Sequence, residues 1–148
     1  MRLKAPPAGK AYNSFKYLLL DSEKLRLSIY EEKWLQRFGR TAKSDPNCIF
    51  HLGDNPNERL CWSGDNRFPS FRKSMGILFH PMTETIVTPA ERLAVMGWPV
   101  YAELALRAGL VPFDFPDIKR GSRYAGNAYQ VSTFGMWMFT VLACVRFK

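Results

Sequence analysis

The strongest constraint on this chain is a segment that begins at residue 87 and reads Val-Thr-Pro-Ala-Glu-Arg-Leu-Ala-Val-Met-Gly-Trp-Pro. The Thr88 side chain can accept hydrogen bonds from N–H groups of a first helical turn, and Pro89 stands where a missing N–H costs nothing. Glu91, three residues after Thr88, completes a capping box. Gly97 ends the helix, and a proline two residues later keeps it ended. The segment therefore predicts a short helix whose two ends are both set by local sequence.

A second segment, Arg-Tyr-Ala-Gly-Asn-Ala at 123–128, belongs beside the first. Together they resemble the C-terminal signature of DNA (cytosine-5) methyltransferases. In that family a segment of the form L-T-P-R-E-x-x-R-L-Q-G-F-P precedes a loop and an I-G-N-A/S-V turn that leads into the last helix. Trp98 takes the aromatic position, and five residues match in unbroken register: Thr88, Pro89, Glu91, Gly97 and Pro99. The resemblance covers roughly residues 50–148.

The catalytic half of that family has no counterpart in this sequence. Family members use a Pro-Cys nucleophile, a Glu-Asn-Val segment and an F-x-G-x-G cofactor loop, and none of the three occurs here. Cys48 follows Asn47, Cys61 follows Leu60, and Cys144 lies in an apolar segment where a thiolate is disfavoured. We therefore assign no catalytic residue and expect that the chain does not methylate DNA by itself.

The Gly126-Asn127-Ala128 segment matches the turn that lines the S-adenosylmethionine pocket in the resembled family. The resemblance implies a cofactor-binding role for these three residues, but only if a partner completes the pocket; alone, the chain is expected to bind no cofactor. A helix-entry turn in which Asn127 satisfies local backbone groups explains the same residues. No metal site is expected, because His51 and His80 are far apart and the cysteines show no metal-binding spacing.

The chain carries 21 Lys and Arg residues against 13 Asp and Glu residues, a net charge of +8. This balance suits an acidic partner such as nucleic acid, and a basic protein without such a partner explains it equally well. One candidate contact with double-stranded DNA consists of Arg67, Arg72 and Lys73, which fall where the resembled family reads DNA. Core aromatic residues flanked by surface charge account for that region nearly as well, since Phe68 and Phe71 lie within it.

A second candidate for DNA contact consists of Lys119, Arg120 and Arg123. These three cations lie near Tyr124 on a predicted loop that contains a glycine, and such a loop suits phosphate binding. A solvated basic loop without a ligand explains the pattern equally well.

The pattern of apolar residues predicts an α+β fold with an irregular, strand-containing first half and a helical second half that ends in a long apolar helix. Residues 1–14 are expected to form a flexible basic arm, and residues 15–148 a single domain. Helices are predicted at Leu25–Phe38, after a start at 21–23, and at Tyr101–Leu110 and Gln130–Phe147. Strands are predicted at Cys48–Leu52, Arg59–Trp62 and Gly76–His80, and a loop at Pro112–Gly121.

The final predicted helix is apolar nearly all round, so it should pack deeply or lie against a partner. Phe134, Trp137 and Met138 are its candidate partner-binding residues. The longest apolar run, Phe134 to Val145, is too short to span a bilayer. An odd number of cysteines argues against a secreted disulfide framework, which leads us to expect reduced thiols and an intracellular protein.

Two functions remain open at this point. In the first, the chain is a methyltransferase-like remnant or split C-terminal subunit that binds DNA or a partner chain and is not catalytic alone. In the second, it is an accessory or structural subunit of a larger assembly that has reused the fold and has no nucleic-acid role. The basic clusters favour the first function, and the apolar last helix favours the second.

Overall fold

The computed structural model describes residues 14–64, 68, 71, 76–112, 118–128 and 130–144. These residues form a mixed α+β structure, as predicted, and about half of them are helical. The helices are α1 (Asp21–Phe38), α2 (Pro89–Val95), α3 (Ala102–Arg107), α4 (Ile118–Asn127) and α5 (Val131–Cys144). The strands are β1 (Ile49–His51), β2 (Trp62–Ser63), β3 (Leu78–His80) and β4 (Thr85–Ile86).

The chain separates into two compact units. Unit 1 contains residues 1–70 and 76–87, and unit 2 contains residues 71–75 and 88–148. The predicted basic arm falls almost entirely on residues 1–13, outside the described residues. The prediction of a single domain from residue 15 onward stays a prediction, and each unit is described by itself below.

Unit 1 contains a small antiparallel sheet with the strand order β2-β1-β3-β4. Phe50 of β1 lies opposite Trp62 on one side and opposite Phe79 on the other. The strands predicted at Cys48–Leu52 and Gly76–His80 are confirmed as the shorter β1 and β3, whereas the strand predicted at Arg59–Trp62 overlaps β2 only at Trp62. Strand β4 was missed because Thr85 and Ile86 are too short a run to show a period of two.

The apolar core of unit 1 lies between helix α1 and this sheet. Leu27, Tyr30 and Trp34 recur at helical spacing and are buried. The Tyr30 ring stacks on Phe50 with 5.2 Å between ring centroids. Gly39 ends the helix in the left-handed conformation with φ 65°, as predicted. The predicted apolar face is too wide, because Leu35 and Phe38 remain partly in solvent.

The described part of unit 2 contains the four short helices α2 to α5. Its core is formed by a cluster of buried apolar residues, which we call the Leu93 cluster: Leu93, Met96, Val100 and Ala125. The predicted helix after Thr88 is confirmed as α2, and the predicted helix at Tyr101–Leu110 is confirmed as the shorter α3. Helix α4 packs along α2 and contributes Ala125 to the cluster.

The predicted loop before Arg123 is wrong at its end, because α4 already begins at Ile118. Gly121 and Ala125 lie four residues apart on one face of α4, and both are buried. Small side chains on that face let the backbone of α4 approach its neighbour closely. Tertiary packing therefore offsets the cost of a glycine inside the helix, which is roughly 1 kcal/mol relative to alanine.

The long apolar ending predicted for the chain is not supported. Helix α5 contains 14 residues, and the chain beyond Cys144 lies outside the described residues. None of the side chains of α5 is buried, so the described helix does not pack deeply. Within the described ranges, no helix combines the length and the apolar character needed to cross a membrane.

Candidate functional site

The two segments that resemble the methyltransferase signature pack together in unit 2. The first segment forms α2 and the turn after it, and the second forms the end of α4. Ala128 packs against the Leu93 cluster, and the Val131 N–H donates a hydrogen bond to the Met96 carbonyl oxygen at 2.9 Å. Gly97 has φ 85°, and a Cβ atom added there would lie 3.4 Å from Cβ of Val131. The start of α5 therefore rests on the turn that ends α2.

The capping box predicted at the start of α2 is present in full. The Glu91 carboxylate accepts the Thr88 N–H at 2.6 Å, and Thr88 Oγ1 accepts the Glu91 N–H at 3.2 Å. The Thr88 hydroxyl also donates to the same carboxylate at 2.8 Å. This reciprocal pair fixes where α2 begins and so directs Leu93 into the core. Arg92 is buried beside it, and burial lowers the pKa of its guanidinium.

The second predicted basic cluster forms one exposed face of α4. Lys119, Arg120 and Arg123 are all exposed, on the side of the helix away from the buried Gly121 and Ala125. Lys119 and Arg123 are four residues apart and therefore lie one above the other on the helix surface. The sequence placed these cations on a loop; the structure places them on a rigid element. We call this surface the α4 basic face.

The first predicted basic cluster, Arg67, Arg72 and Lys73, lies outside the described residues. The two aromatic residues predicted beside it are both half-buried. Phe71 packs against the Leu93 cluster of unit 2, and Phe68 belongs to unit 1. Phe71 is therefore part of a core, in agreement with the alternative interpretation of this region.

The Gly126-Asn127-Ala128 segment does not form the open turn that the sequence suggested. Gly126 and Asn127 are the last two residues of α4. Asn127 is exposed, whereas Ala128 packs against the Leu93 cluster. The three residues carry no charged group for the amino acid end of S-adenosylmethionine.

The predicted partner-binding residues lie on the exposed surface of α5. Phe134, Trp137 and Met138 expose between 36% and 59% of their surface. The Phe134 and Trp137 rings stack with 6.0 Å between centroids. Met136 and Phe139, on other sides of the helix, are more exposed still. The apolar surface of α5 therefore extends around most of the helix.

Sequence reasoning missed a group of side chains in unit 1. The ligand atoms of His51, Asp54 and Cys61 all lie within 4.8 Å of one another. Neither the cysteines nor the two histidines show metal-binding spacing in the sequence, and these three residues lie at the end of β1, in the turn after it and just before β2. The predicted pairing of Cys48–Leu52 with Arg59–Trp62 is a partial signal, but only the register seen in the structure brings His51 and Cys61 to facing positions.

The described surface of unit 2 offers two kinds of contact. The α4 basic face suits an anionic partner, and the apolar side chains of α5 suit a nonpolar one. Helix α4 is held by the Leu93 cluster, and the start of α5 is held by the contacts of Val131 with Met96 and Gly97. Comparison of the chain with family models, curated proteins and solved structures finds no match.

Proposed function

We propose that this chain is a methyltransferase-like module, a remnant or a split C-terminal subunit, that binds double-stranded DNA through the α4 basic face and is not catalytic alone. One observation carries the proposal. The two segments that resemble the cytosine-5 methyltransferase signature, separated in sequence by residues 100–122, pack into one unit through Leu93, Met96 and Ala125. The same packing turns the three cations of α4 outward.

The geometry of α4 suits a phosphate backbone. The rise of an α-helix places Lys119 and Arg123 about 6 Å apart along the axis, with Arg120 between them. Successive phosphates of one DNA strand follow at about 3.4 Å of axial rise, so long cationic side chains at this spacing reach neighbouring phosphates. Contacts of this kind fix the orientation of a protein on DNA and are independent of sequence.

The proposal is tested by measuring DNA binding against salt concentration. Fluorescence anisotropy with a labelled duplex would compare the intact chain with the triple variant Lys119→Gln, Arg120→Gln, Arg123→Gln. Removing one phosphate contact should reduce the slope of log K against log salt by about 0.9. The expected result is weaker binding and a clearly smaller slope, with unchanged circular dichroism because all three side chains are exposed.

A matched control removes three cations elsewhere: Lys24→Gln, Arg59→Gln and Arg107→Gln, all at exposed positions. Both triple variants lose the same charge, so a difference between them reports position and not net charge. Equal losses in the two variants would show that only overall charge matters, and a salt response that is flat in the intact chain would end the DNA proposal.

The absence of catalysis by the chain alone is tested directly. Because the sequence has no Pro-Cys dipeptide and no F-x-G-x-G loop, purified protein with labelled S-adenosylmethionine and DNA should transfer no methyl groups. In this proposal, Gly126, Asn127 and Ala128 contribute one wall of a cofactor pocket only when an intracellular partner supplies the rest. Methyl transfer to cytosine by the purified chain would contradict it.

The exposure of α5 favours a second candidate function, an accessory subunit of a larger assembly without a nucleic-acid role. Trp137 and the apolar residues around it remain in solvent in the isolated chain, and exposed apolar surface of this kind marks contact with a partner. The two functions are distinguishable because they depend on different helices. Substitutions in α4 report the first, and substitutions in α5 report the second.

A further inference from the structure

The β1–β2 pairing places a histidine and a cysteine at facing positions in unit 1. The register joins Ile49 to Ser63 and Phe50 to Trp62, so the next pair is His51 and Cys61. The His51 N–H donates to the Cys61 carbonyl oxygen at 3.0 Å, which continues the ladder to this pair. Facing residues of an antiparallel pair direct their side chains to the same side of the sheet.

The turn after β1 adds a carboxylate to this pair. Asp54 Oδ2 lies 3.4 Å from His51 Nδ1. One nitrogen, one carboxylate oxygen and one sulfur thus lie within 4.8 Å of one another. The His51 side chain is only 1% exposed, whereas Asp54 and Cys61 are partly accessible, so the group opens to solvent on one side.

We propose that His51, Asp54 and Cys61 bind a divalent cation of the zinc type. Zinc takes nitrogen, carboxylate oxygen and thiolate ligands at about 2.0–2.3 Å in a tetrahedron, whose ligand atoms are then about 3.3–3.8 Å apart. The 3.4 Å between Asp54 and His51 already equals such an edge. A thiolate ligand favours zinc over the hard cations calcium and magnesium. A water molecule would take the fourth coordination position of the zinc ion.

The charges of the proposed site balance when the cation is bound. A divalent ion cancels the carboxylate of Asp54 and the thiolate of Cys61, so the metal and its ligands carry no net charge in a half-buried place. The neutral His51 ring supplies the remaining protein ligand. The site therefore holds a doubly charged ion without the penalty of an uncompensated buried charge.

The backbone around the three ligands is held in place by contacts from α1 and from the chain before β3. The Cys61 N–H donates to Tyr30 Oη at 3.3 Å, and Arg26 donates to the Leu52 carbonyl oxygen at 2.9 Å. A Cβ added at Gly53 would lie 2.6 Å from the backbone nitrogen of Gly76, so the turn packs without room for a side chain. A frame fixed in this way keeps the ligands near their binding geometry before the ion arrives.

The same three residue types also occur in nucleophilic triads, but the burial of His51 favours the metal. In such a triad the histidine also returns a proton to the leaving group, and a His51 side chain that is 1% exposed has little surface for contact with a substrate. A metal ion needs only the space between its ligands and one path from solvent. The partly exposed side chains of Asp54 and Cys61 provide that path.

The test uses the full chain, freed of metal with a chelator and titrated with Co²⁺, followed by Zn²⁺. Tetrahedral Co²⁺ gives intense visible bands, and a cobalt–thiolate bond adds a charge-transfer band in the near ultraviolet. We expect saturation at one ion per chain, displacement of the bands by Zn²⁺, and a higher melting temperature with Zn²⁺ bound.

Two ligand variants and one control decide the assignment. Cys61→Ser should abolish the charge-transfer band, and Asp54→Asn, at a partly exposed turn position, should keep the fold and weaken binding at least about tenfold. Cys144→Ser removes an exposed thiol of unit 2 and should leave both the band and the affinity unchanged. The proposal would be overturned if the intact chain gave no cobalt bands. It would also be overturned if the charge-transfer band survived in Cys61→Ser and disappeared in Cys144→Ser. Neither result depends on DNA binding by α4.

Discussion

At the residue scale, Glu84 shows how charge stabilises a strained backbone position. It has φ 53°, in the left-handed region that non-glycine residues rarely adopt. Its carboxylate lies 2.7 Å from Lys43 Nζ and 3.2 Å from Lys16 Nζ, and its carbonyl oxygen accepts the Phe15 N–H at 2.8 Å. The hydrogen bond from Lys43 is the main cause that lowers the pKa of Glu84 from 4.5 to about 2, followed by bonds from Ser14 and Lys16.

Replacing Glu84 by Gln should therefore destabilise the fold in a pH-dependent manner. Because the pKa is lower in the folded state, the stabilisation exists above pH 4.5 and disappears as the pH falls toward 2. We expect Glu84→Gln to lower the free energy of unfolding by about 1 kcal/mol at neutral pH, since the ion pairs are partly exposed. Urea unfolding at several pH values measures this difference.

The control for this experiment is Glu32→Gln, at an exposed position of α1 whose side chain accepts a hydrogen bond from Gln36. It should change the free energy of unfolding by less than about 0.5 kcal/mol at any pH. A Glu84→Gln effect that persists unchanged near pH 2 would show that the ion pairs are not its cause.

Gly97 and Gly135 give opposite predictions for the same substitution. Gly97 has φ 85° and faces Val131, so Gly97→Ala should lower the free energy of unfolding by about 1–2 kcal/mol. Gly135 lies inside α5, and a Cβ added there meets no atom within 4 Å. Gly135→Ala should therefore stabilise the helix by about 0.5–1 kcal/mol. Thermal unfolding of both variants measures the two signs; a stabilised Gly97→Ala would contradict the left-handed position, and a destabilised Gly135→Ala would contradict the open space beside α5.

The residues that sequence reasoning predicted correctly are those whose role depends on near neighbours. The Thr88 cap and the left-handed Gly39 follow from a few adjacent residues, and both are confirmed. The proximity of His51 and Cys61 depends on strand register, which no local pattern specifies. Residues 65–67 and 72–75 lie outside the described residues, so the predictions for Arg67, Arg72 and Lys73 stay predictions.

At the element scale, α2 tests how far a local signal fixes a helix. Thr88→Ala removes the acceptor for the Glu91 N–H and should lower the free energy of unfolding by about 1 kcal/mol. Amide hydrogen exchange at Glu91 should also accelerate, because that N–H loses its partner. Thr88→Ser keeps the hydroxyl and should change stability by only a few tenths of a kcal/mol. A slow Glu91 amide in Thr88→Ala would mean that another group caps α2.

The helices were predicted with unequal success for a physical reason. Helix α1 buries Leu27, Tyr30 and Trp34 on one face, so its period is visible in the sequence. Helix α4 buries Gly121 and Ala125, which have little apolar surface, so its period is hidden and its start was taken for a loop. Helix α5 has an apolar sequence without a buried face, and the sequence overstated how deeply it packs.

At the scale of the whole molecule, the two units carry different chemistry. Unit 1 holds the His51, Asp54 and Cys61 group in a frame of helix and sheet. Unit 2 holds both segments of the methyltransferase resemblance, the α4 basic face and the exposed α5. Cys48 is buried in the core of unit 1, where burial raises the pKa of its thiol to about 12 and makes it unreactive. The proposed metal site and the proposed DNA contact depend on residues of different units, so each proposal can be tested without changing the residues of the other.

The exposed apolar surface of α5 should make the chain associate in solution. Seven large apolar side chains of this 14-residue helix remain in solvent, and their burial against a partner or a second copy is favourable by about 25 cal/mol per Å². Light scattering over a range of concentrations should give a native mass above 17.0 kDa. Trp137→Asp should return the mass toward that of a single chain.

Leu106→Asp is the matched control for Trp137→Asp, because Leu106 is an exposed apolar residue of α3 in the same unit and is 66% exposed. It should leave the native mass unchanged if association depends on α5, so a fall in mass for Leu106→Asp would show that the exposed apolar residues of α3 take part as well. Trp137→Asp should also retain the salt dependence of DNA binding, which depends on Lys119, Arg120 and Arg123 of α4. A native mass of 17.0 kDa for the intact chain at every concentration would exclude self-association through α5. Loss of DNA binding in Trp137→Asp would show that α4 and α5 act as one binding surface.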